Sequence, residues 1–212
     1  MRAAKEPGRP APGKDGFEGG NAVRVVVGVT GASGAIYGYS LVRTLNELGV
    51  ELDMVVTRMG EQVLAFECGV KKPELARYGR IWANDNMFAP IASGTYLTDG
   101  MVVMPCSMNS LGAMANGVGD TLLYRAASVH LKERRPLILV PRETPLHLIH
   151  LQNMERLALA GAQIMPASPG FYHRPKEIWE LTSFMVARVL DALHIDHDLM
   201  ERWGKHMAPR TE

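Results

Sequence analysis

A single stretch near the N-terminus restricts the fold more than any other part of this chain. The residues are Gly28-Val-Thr-Gly-Ala-Ser-Gly-Ala-Ile-Tyr-Gly38, and they continue an apolar run that begins at Val23. The apolar run predicts a buried strand, and the closely spaced Gly31 and Gly34 predict a tight turn. Apolar residues then recur at helical spacing from Ala35 onwards. Strand, turn and helix in this order predict the first unit of an α/β fold.

The turn is also a predicted anion site. Backbone N–H groups in the first turn of a helix lack partners within the helix, and the helix dipole adds positive potential there. The Ser33 hydroxyl adds another donor at the same point. We therefore expect a phosphate-bearing cofactor to dock at Gly31, Ala32 and Ser33, although a plain tight turn is the alternative for this stretch alone.

The rest of the chain repeats the alternation of strand and helix. Four further segments are predicted strands, and they lie at residues 50–57, 100–105, 137–141 and 163–166. Strands joined by helices predict a parallel sheet with helices on both faces, which is a three-layer α/β fold. Because ligands of such sheets bind at the carboxyl ends of the strands, we expect the loops that follow the strands to meet at one edge.

Three local predictions concern the connections. The segment 71–92 shows no regular period and is predicted to be irregular. Asp120 and Thr121 predict the cap of a helix. Thr144, followed by Pro145 at the first helical position, predicts the start of another helix.

Composition excludes several classes of protein. With 212 residues, the chain is long enough for one sizeable domain, and its net charge of +1 gives no indication of nucleic acid or of an anionic membrane surface as a partner. Two cysteines do not make a disulfide framework, which favours a reducing compartment. No apolar run approaches the roughly 20 residues of a membrane span, and no signal peptide is recognisable. We therefore expect a cytoplasmic protein.

The cofactor is predicted from the turn and from the second strand. The turn reads Gly-Ala-Ser-Gly rather than G-x-G-x-x-G, and the second strand ends at Thr57, where a dinucleotide fold usually places an acidic residue. Both features disfavour NAD. A mononucleotide with one phosphate fits better, and FMN is the leading candidate.

Charged residues elsewhere indicate a second anion site. Arg125 and Lys132 are seven residues apart and share a helix face, although a solvated basic face explains them equally well. Glu143 follows a strand and is a candidate for proton transfer, and Tyr172 lies in a loop suited to ligand contact. Arg188 lies among apolar residues and needs an anionic partner, either a ligand or a nearby carboxylate. His147 and His150 are expected to be structural. These patterns alone do not define a reaction.

Six motifs together resemble one family. They are Gly-Val-Thr-Gly-Ala-Ser-Gly-Ala-Ile-Tyr-Gly (28–38), Ala-Pro-Ile-Ala-Ser-Gly (89–94), Pro-Cys-Ser-Met (105–108), Arg-Ala-Ala-Ser-Val-His-Leu-Lys-Glu-Arg-Arg-Pro-Leu (125–137), Leu-Val-Pro-Arg-Glu-Thr-Pro (139–145) and Pro-Gly-Phe-Tyr-His-Arg-Pro (169–175). In this order and spacing they resemble the UbiX/Pad1 flavin prenyltransferases, over residues 23–203.

The resemblance implies a Rossmann-like, flavodoxin-like fold and tight binding of FMN. It implies transfer of a dimethylallyl group from dimethylallyl phosphate to N5 and C6 of reduced FMN, without a metal. The product is the prenylated FMN that UbiD-type decarboxylases use, and relatives form dodecamers. We therefore expect a homo-oligomer. The choice between dimethylallyl phosphate and pyrophosphate as donor stays open.

The resemblance also implies roles for individual residues. Asn109 departs from many relatives, which carry Lys or Gly there. The catalytic residues would be Ser33, Glu143 and Lys132; the FMN contacts Gly31, Ala32, Ser33, Thr57, Ser107, Met108, Asn109, Ser110 and Arg125; and the contacts to dimethylallyl phosphate Tyr172, Arg188, Lys132 and Trp203.

The expected organisation has three parts. Residues 1–21 are rich in Pro, Gly and charge and are predicted to be a disordered tail. Residues 22–195 are predicted to form the FMN-binding domain, and residues 196–212 a C-terminal tail that closes the site. Two other functions remain alternatives: an FMN-dependent cysteine decarboxylase of the related flavoprotein group, and a non-enzymatic FMN carrier.

Overall fold

A computed structural model describes residues 23–200 and residue 202. The described chain forms one parallel sheet of six strands, in the order β3-β2-β1-β4-β5-β6. The strands are Arg24–Val29 (β1), Glu51–Val56 (β2), Arg80–Trp82 (β3), Gly100–Cys106 (β4), Leu137–Pro141 (β5) and Gln163–Ile164 (β6). The helices are Ala35–Glu47 (α1), Arg58–Cys68 (α2), Lys72–Leu75 (α3), Met108–Ala115 (α4), Leu122–Lys132 (α5), Leu148–Leu159 (α6) and Ile178–Ala192 (α7), and Pro90–Ala92 forms a 3₁₀ turn.

The strand order confirms the predicted fold class. All five strand pairs are parallel. Without the short edge strand β3, the order is that of a flavodoxin-like sheet, in which the chain reverses direction across the sheet between the first strand and its neighbour. Here that point lies between β1 and β4. Ligands of open α/β sheets bind at the carboxyl ends of the strands beside such a point.

Helices cover both faces of the sheet, which gives the predicted three layers. In β1, Val25, Val27 and Val29 point to the face covered by α1, α2 and α7, whereas Val26 points to the face covered by α4, α5 and α6. Both faces of β1 are therefore apolar, which explains why this strand reads as a continuous apolar run rather than as an alternating one.

Gly38 determines how closely α1 approaches the sheet. A Cβ atom at this position would lie 2.2 Å from the backbone oxygen of Met104 in β4. Alanine favours a helix by about 1 kcal/mol over glycine, but an overpacked core costs about 1–3 kcal/mol. The clash is with backbone atoms of β4, which cannot relieve it by changing a side-chain rotamer. We expect Gly38→Ala to lower the free energy of unfolding by about 2 kcal/mol in denaturant titrations.

Gly112 provides the matched control. It also lies within a helix, but a Cβ atom there would meet only the end of the Asn153 side chain, at 3.3 Å. Gly112→Ala is expected to be neutral or stabilising by up to about 1 kcal/mol. Equal effects of the two substitutions would contradict close packing at Gly38.

The prediction of an irregular segment over 71–92 was wrong in part. This segment contains α3, the edge strand β3 and a 3₁₀ turn. The strand has only three residues, too few to show a period of two, and it is held by pairing with β2. The Trp82 indole also donates to the Asp53 carboxylate, at 2.7 Å. Contacts distant in sequence therefore define β3.

The predicted caps of two helices also differ from the structure. Thr121 occupies the N-cap position of α5, but the N–H of Leu123 bonds the Asn84 side chain instead, at 3.0 Å. Helix α6 begins at Leu148 rather than after Thr144, because the His147 ring caps it by accepting from the His150 N–H. The cap of α5 comes from a residue 39 positions away, and no local pattern reveals it.

Two kinds of feature are absent from residues 23–200 and 202. No helix in this part of the chain is long and apolar enough to cross a membrane. No three His, Cys, Asp or Glu side chains there are grouped to hold a metal ion. The predicted disordered tail over 1–21 and the contact predicted for Trp203 lie outside the described residues.

Candidate active site

Hydrogen bonds connect the carboxyl ends of the central strands β1 and β4. The Thr30 hydroxyl, just after β1, donates to the Pro105 carbonyl at 2.8 Å and accepts from the Ser107 N–H at 2.7 Å. Gly31 packs against the start of α2, since a Cβ atom at Gly31 would lie 2.4 Å from the Cβ of Met59. The turns after β1, β2 and β4 therefore form one continuous surface at the carboxyl edge of the sheet, as the alternating pattern predicts.

A carboxylate occupies the predicted anion position at the start of α1. The N–H groups of Gly34 and Ala35 both donate to Oε2 of Glu67, each at 2.9 Å. The Ser33 hydroxyl bonds the same carboxylate. Glu67 lies near the end of α2, and nothing in its local sequence distinguishes it from an ordinary surface glutamate. Sequence reasoning missed this residue because its role depends on the contact between α1 and α2.

These bonds change the acidity of Glu67. Partial burial by itself raises the pKa of this carboxyl, but bonds from Ser33, Ala35 and Gly34, together with the nearby Arg142, outweigh it, so the pKa is lowered. Glu67 is therefore ionised at neutral pH. A cofactor phosphate at the start of α1 would face this negative charge, which disfavours the phosphate there. The structure thus weakens the interpretation of Ser33 as a phosphate contact.

We expect Glu67→Gln to lower the free energy of unfolding by about 1 kcal/mol at pH 7, the usual cost of losing a helix cap. Because the pKa of Glu67 is lowered in the folded state, its stabilisation is present above the ordinary glutamate pKa. That stabilisation is lost as the pH falls through the lower, folded value. Denaturant titrations from neutral to acidic pH would measure the difference from the unmodified protein.

Glu61→Gln is the control for this measurement. Glu61 pairs with Lys72 on the surface, at 2.8 Å, and such pairs contribute at most about 1 kcal/mol. Two results would contradict the capping role: no loss of stability in Glu67→Gln at neutral pH, or a loss that persists unchanged in acid.

Arg142 joins the end of β5 to the glycine turn. Its Nε donates to the Ser33 carbonyl at 2.8 Å, and its backbone N–H donates to the Cys106 carbonyl at 3.3 Å. Glu143, the next residue, is exposed, and one of its carboxylate oxygens accepts from the Thr144 N–H at 3.0 Å. Glu143 therefore lies at the same edge as Ser33. Sequence reasoning missed Arg142, although its position directly after a strand gave a usable signal.

The second turn presents fewer side chains than predicted. Ser107 caps α4 by accepting from the Ser110 N–H at 3.3 Å, and Thr57 caps α2 by accepting from the Gly60 N–H at 3.1 Å. Met108 and Ser110 are buried, whereas Asn109 is exposed. Contacts from this turn to a ligand would therefore come from Asn109, Ser107 and backbone N–H groups.

These features fit a phosphate-bearing flavin. The starts of α2 and α4 lie at the same edge, and each capping hydroxyl takes one N–H, which leaves other first-turn N–H groups for an anion. The first turn of α4 carries no acidic residue, and Glu61 in the first turn of α2 pairs with Lys72. These two helix starts would therefore hold the FMN phosphate better than the start of α1.

Tyr172 lies in the loop before α7 and packs against this helix, which carries Arg188. The Tyr172 ring packs edge-on against Phe184, with ring centroids 5.8 Å apart. Arg188 follows Phe184 by four residues and therefore lies on the same helix face. Arg188 donates to Asp191 at 2.9 Å, which is the intramolecular pairing that the sequence left as an alternative.

Lys132 lies far from both groups. It ends α5 and contacts Gly94, in the segment that leads into β4, and it pairs with Glu133. Lys132 is thus at the amino edge of the sheet, whereas Ser33 is at the carboxyl edge. A strand of seven residues such as β4 separates the two edges by about 20 Å. The helices that carry Lys132 and Arg188 also cover opposite faces of the sheet.

Arg125 lies near the opposite end of α5 from Lys132. It lies in the first turn of α5, and its Nε donates to the Ala92 carbonyl at 3.0 Å. The predicted residues thus occupy three places in one chain: the carboxyl edge, the exposed face of α7 and the amino edge. A single chain does not bring Lys132, Tyr172 and Arg188 to one point.

Comparison with known proteins places the chain in a family. A family model described as Flavoprotein matches residues 18–189. The flavin prenyltransferase UbiX of Alkalihalophilus pseudofirmus is 43% identical over 192 residues, which are 85% of this chain and 96% of that protein.

Two solved structures are similar in fold and sequence. The crystal structure of AnUbiX (PadA1) in complex with FMN and dimethylallyl pyrophosphate superposes with a TM-score of 0.85 at 40% identity, and covers 86% of this chain and 98% of its own. A dodecameric FMN-dependent UbiX-like decarboxylase from Escherichia coli O157:H7 gives a TM-score of 0.83 at 38% identity, over 85% and 99%. The chain belongs to the flavoprotein family, among the UbiX flavin prenyltransferases.

Proposed function

We propose that the protein joins a dimethylallyl group from dimethylallyl phosphate to N5 and C6 of reduced FMN. The observation that carries the proposal is the carboxyl edge, where Ser33, Glu67, Arg142 and Glu143 surround a surface suited to a flavin. Relatives at about 40% identity are flavin prenyltransferases, and one similar structure contains both FMN and dimethylallyl pyrophosphate. The FMN requirement follows from the flavoprotein family.

The reaction determines which residue types are needed. The allylic C–O bond breaks, phosphate leaves with the bonding electron pair, and positive charge develops on the five-carbon group. Bound reduced FMN would supply N5, which loses its proton as it bonds the allyl group, and C6, which bonds the same group once its remaining C=C bond has taken up a proton. Arg188, Lys132 and the Tyr172 hydroxyl would stabilise the leaving phosphate, a preorganised electrostatic role. Trp203 would face the allyl group, where cation–π attraction contributes about 1–2 kcal/mol.

Proton removal is assigned to the carboxyl edge. Closing the ring at C6 requires loss of a proton, and the Ser33 hydroxyl, which bonds the Glu67 carboxylate, lies at this edge. Glu67 would hold the Ser33 hydroxyl in position and accept its proton. Glu143 would supply a second carboxylate at this edge. We assign Ser33 to the proton relay rather than to the phosphate, because Glu67 opposes an anion there.

Assembly would complete the site. Because Lys132 and Arg188 lie on opposite sides of one chain, a shared anion between them requires a second copy. The dodecameric relative supports such an assembly, as do exposed apolar residues such as Phe66 and Phe88, which are 92% and 100% exposed in the single chain. The two described cysteines are unpaired, which supports a cytoplasmic location. A UbiD-type decarboxylase is the proposed recipient of the product.

Donor use tests the proposal. The protein would be incubated without air with reduced FMN and either dimethylallyl phosphate or dimethylallyl pyrophosphate, and released phosphate or pyrophosphate would be measured. We expect turnover with dimethylallyl phosphate. Turnover restricted to the pyrophosphate would correct the donor, and release from neither donor by the FMN-bound protein would refute the reaction. Carbon dioxide release from a cysteinyl substrate with oxidised FMN would favour the decarboxylase alternative.

A further inference from the structure

The loop of residues 93–98, which leads into β4, is held by the chain at the end of α5. One side chain makes two of the contacts: Arg135 donates from Nη1 to the Tyr96 carbonyl at 2.8 Å and from Nη2 to the Gly94 carbonyl at 2.5 Å. The two acceptors are backbone oxygens two residues apart, and a planar guanidinium group with several donors suits such a pair. Arg135 therefore fixes the path of the loop backbone at these two points.

A helix-ending motif fixes the backbone of Arg135 in turn. Arg134 has a φ angle of 55°, in the left-handed region, and its N–H donates to the Leu131 carbonyl at 3.1 Å. The Arg135 N–H donates to the His130 carbonyl at 2.9 Å. These are the two bonds of a Schellman motif, which satisfies the last carbonyl groups of a helix. Arg135 thus reaches the loop from a backbone that α5 holds in place.

Gly94 lies against the charged end of α5. A Cβ atom at this position would lie 2.1 Å from Oε1 of Glu133 and 2.8 Å from Nζ of Lys132, and these two side chains pair with each other. The bond and the charge of Lys132, together with the charge of Arg135, lower the pKa of Glu133, so this carboxylate is ionised at neutral pH. The Lys132 ammonium group is therefore bounded by the Gly94 backbone and by the Glu133 carboxylate.

Other contacts hold the far end of the loop. The Tyr96 hydroxyl donates to the buried Asp53 carboxylate at 2.8 Å. Nε2 of the buried His130 ring lies 2.9 Å from the Thr98 hydroxyl. These contacts do not depend on the guanidinium group. Its loss would therefore free the backbone around Gly94 while the end of the loop that enters β4 stays in place.

We propose that Arg135 is a positioning residue for prenyl transfer, because it holds the Gly94 backbone that keeps the Lys132 ammonium group oriented for the donor phosphate. This inference rests on the proposed function, in which Lys132 binds that phosphate. A lysine side chain has many rotamers, and restricting them before the donor binds lowers the cost of ordering the side chain in the complex. Arg135 acts through the loop and needs no contact with the donor.

Gly94→Ala displaces the Lys132 ammonium group with little effect on folding. The added methyl group would meet the ends of two flexible side chains, and the φ angle of Gly94 lies outside the left-handed region, so alanine brings no backbone strain. We expect kcat/KM for dimethylallyl phosphate to fall about tenfold, with FMN binding and the midpoint of denaturant unfolding unchanged. Gly112→Ala, which adds a methyl group beside Asn153, is the control and should keep the normal kcat/KM. A normal kcat/KM in Gly94→Ala would overturn the proposal.

Arg135→Ala tests the link to Lys132 itself. The FMN-bound variant should also lose about tenfold in kcat/KM, and Arg135→Lys should recover part of the loss, because an ammonium group keeps the charge without the fork. In a Lys132→Ala background, Arg135→Ala should cost less than about twofold more, since the group that it positions is gone. Arg156→Ala removes another arginine bond, to Asn116 at 2.6 Å, and should leave the kinetics unchanged. Independent, additive losses from Arg135→Ala and Lys132→Ala would contradict positioning.

Hydrogen exchange tests the hold on the loop without any reaction. In the FMN-bound protein, the Tyr96 amide, which donates to the Ser93 carbonyl at 3.3 Å, should exchange about tenfold faster in Arg135→Ala. The Met101 amide, which donates to the Pro136 carbonyl at 2.9 Å, should exchange at its normal rate. Equal exchange at Tyr96 would overturn the proposal. If the unmodified protein transfers no prenyl group, the proposed function fails, and exchange alone then decides whether Arg135 holds the loop.

Discussion

Replacing Arg188 with alanine is expected to lower kcat/KM for dimethylallyl phosphate by about 10²–10³-fold, the usual loss when one preorganised donor to a developing negative charge is removed. The phosphate gains charge as the allylic C–O bond breaks, so the guanidinium contributes most in the transition state. FMN should still bind, because Arg188 lies on α7, away from the turns at the carboxyl edge. Anaerobic steady-state kinetics with flavin retention measured in parallel would check both parts.

Two further variants sharpen this prediction. Arg188→Lys keeps the charge but loses the fork, and should recover only part of the rate. Arg43→Ala removes an arginine that is also about half exposed, from the pair with Glu47, and should leave the rate unchanged. If Arg188→Ala retained the full rate, the anion site on α7 would be wrong. Under the FMN-carrier alternative, neither protein would turn the donor over, and Arg188→Ala would leave the delivery of FMN intact.

Ser33→Ala is expected to give the other large effect. The variant should bind FMN normally but fail to close the fourth ring, with a loss of about 10²–10⁴ in the rate of product formation, the usual contribution of a positioned acid or base. The reason is the bond from Ser33 to Glu67, which prepares the hydroxyl for proton transfer. Rapid mixing of the reduced, FMN-bound protein with donor, followed by absorbance spectra of the flavin, would measure the closure.

A double-substitution cycle identifies the partner of Ser33. Glu67→Gln should reduce ring closure as well, and the combination with Ser33→Ala should cost little more than the larger single effect, because the two groups act as a unit. Additive losses would show that Ser33 and Glu67 act independently. Weak FMN binding in Ser33→Ala would instead return Ser33 to the role of a phosphate contact.

The buried strands could be predicted because their signal is local. β1, β4 and β5 are mostly apolar stretches of five to seven residues, each followed by a turn, and β2 is apolar from Met54 to Val56. Burial on both faces makes such stretches visible in the sequence. The edge strand β3 and the cap of α5 could not be predicted in this way. Pairing with β2 and the Asn84 side chain define them, and both partners are distant in sequence.

The site residues also differ in whether a local sequence signal reveals them. Thr57 and Ser107 directly follow strands, and Ser33 and Glu143 lie in the loops after strands, so parallel topology alone predicts that they share an edge. Glu67 could not be predicted, since its carboxylate reaches the start of α1 only through the packing of α2. For Arg188 the sequence predicts only that an anion lies nearby, because the residue stands among apolar neighbours. The sequence does not show whether that anion is Asp191 or a substrate.

Mass spectrometry of the flavin provides the sharpest check on prenyl transfer. The protein would be mixed without air with reduced FMN and dimethylallyl phosphate. The flavin would then be released and its molecular mass measured. We predict a flavin heavier than FMN by one five-carbon prenyl unit, absent when the donor is omitted and strongly reduced in Arg188→Ala. An unchanged FMN mass, from protein that is folded and has FMN bound, would contradict flavin prenyl transfer by this chain.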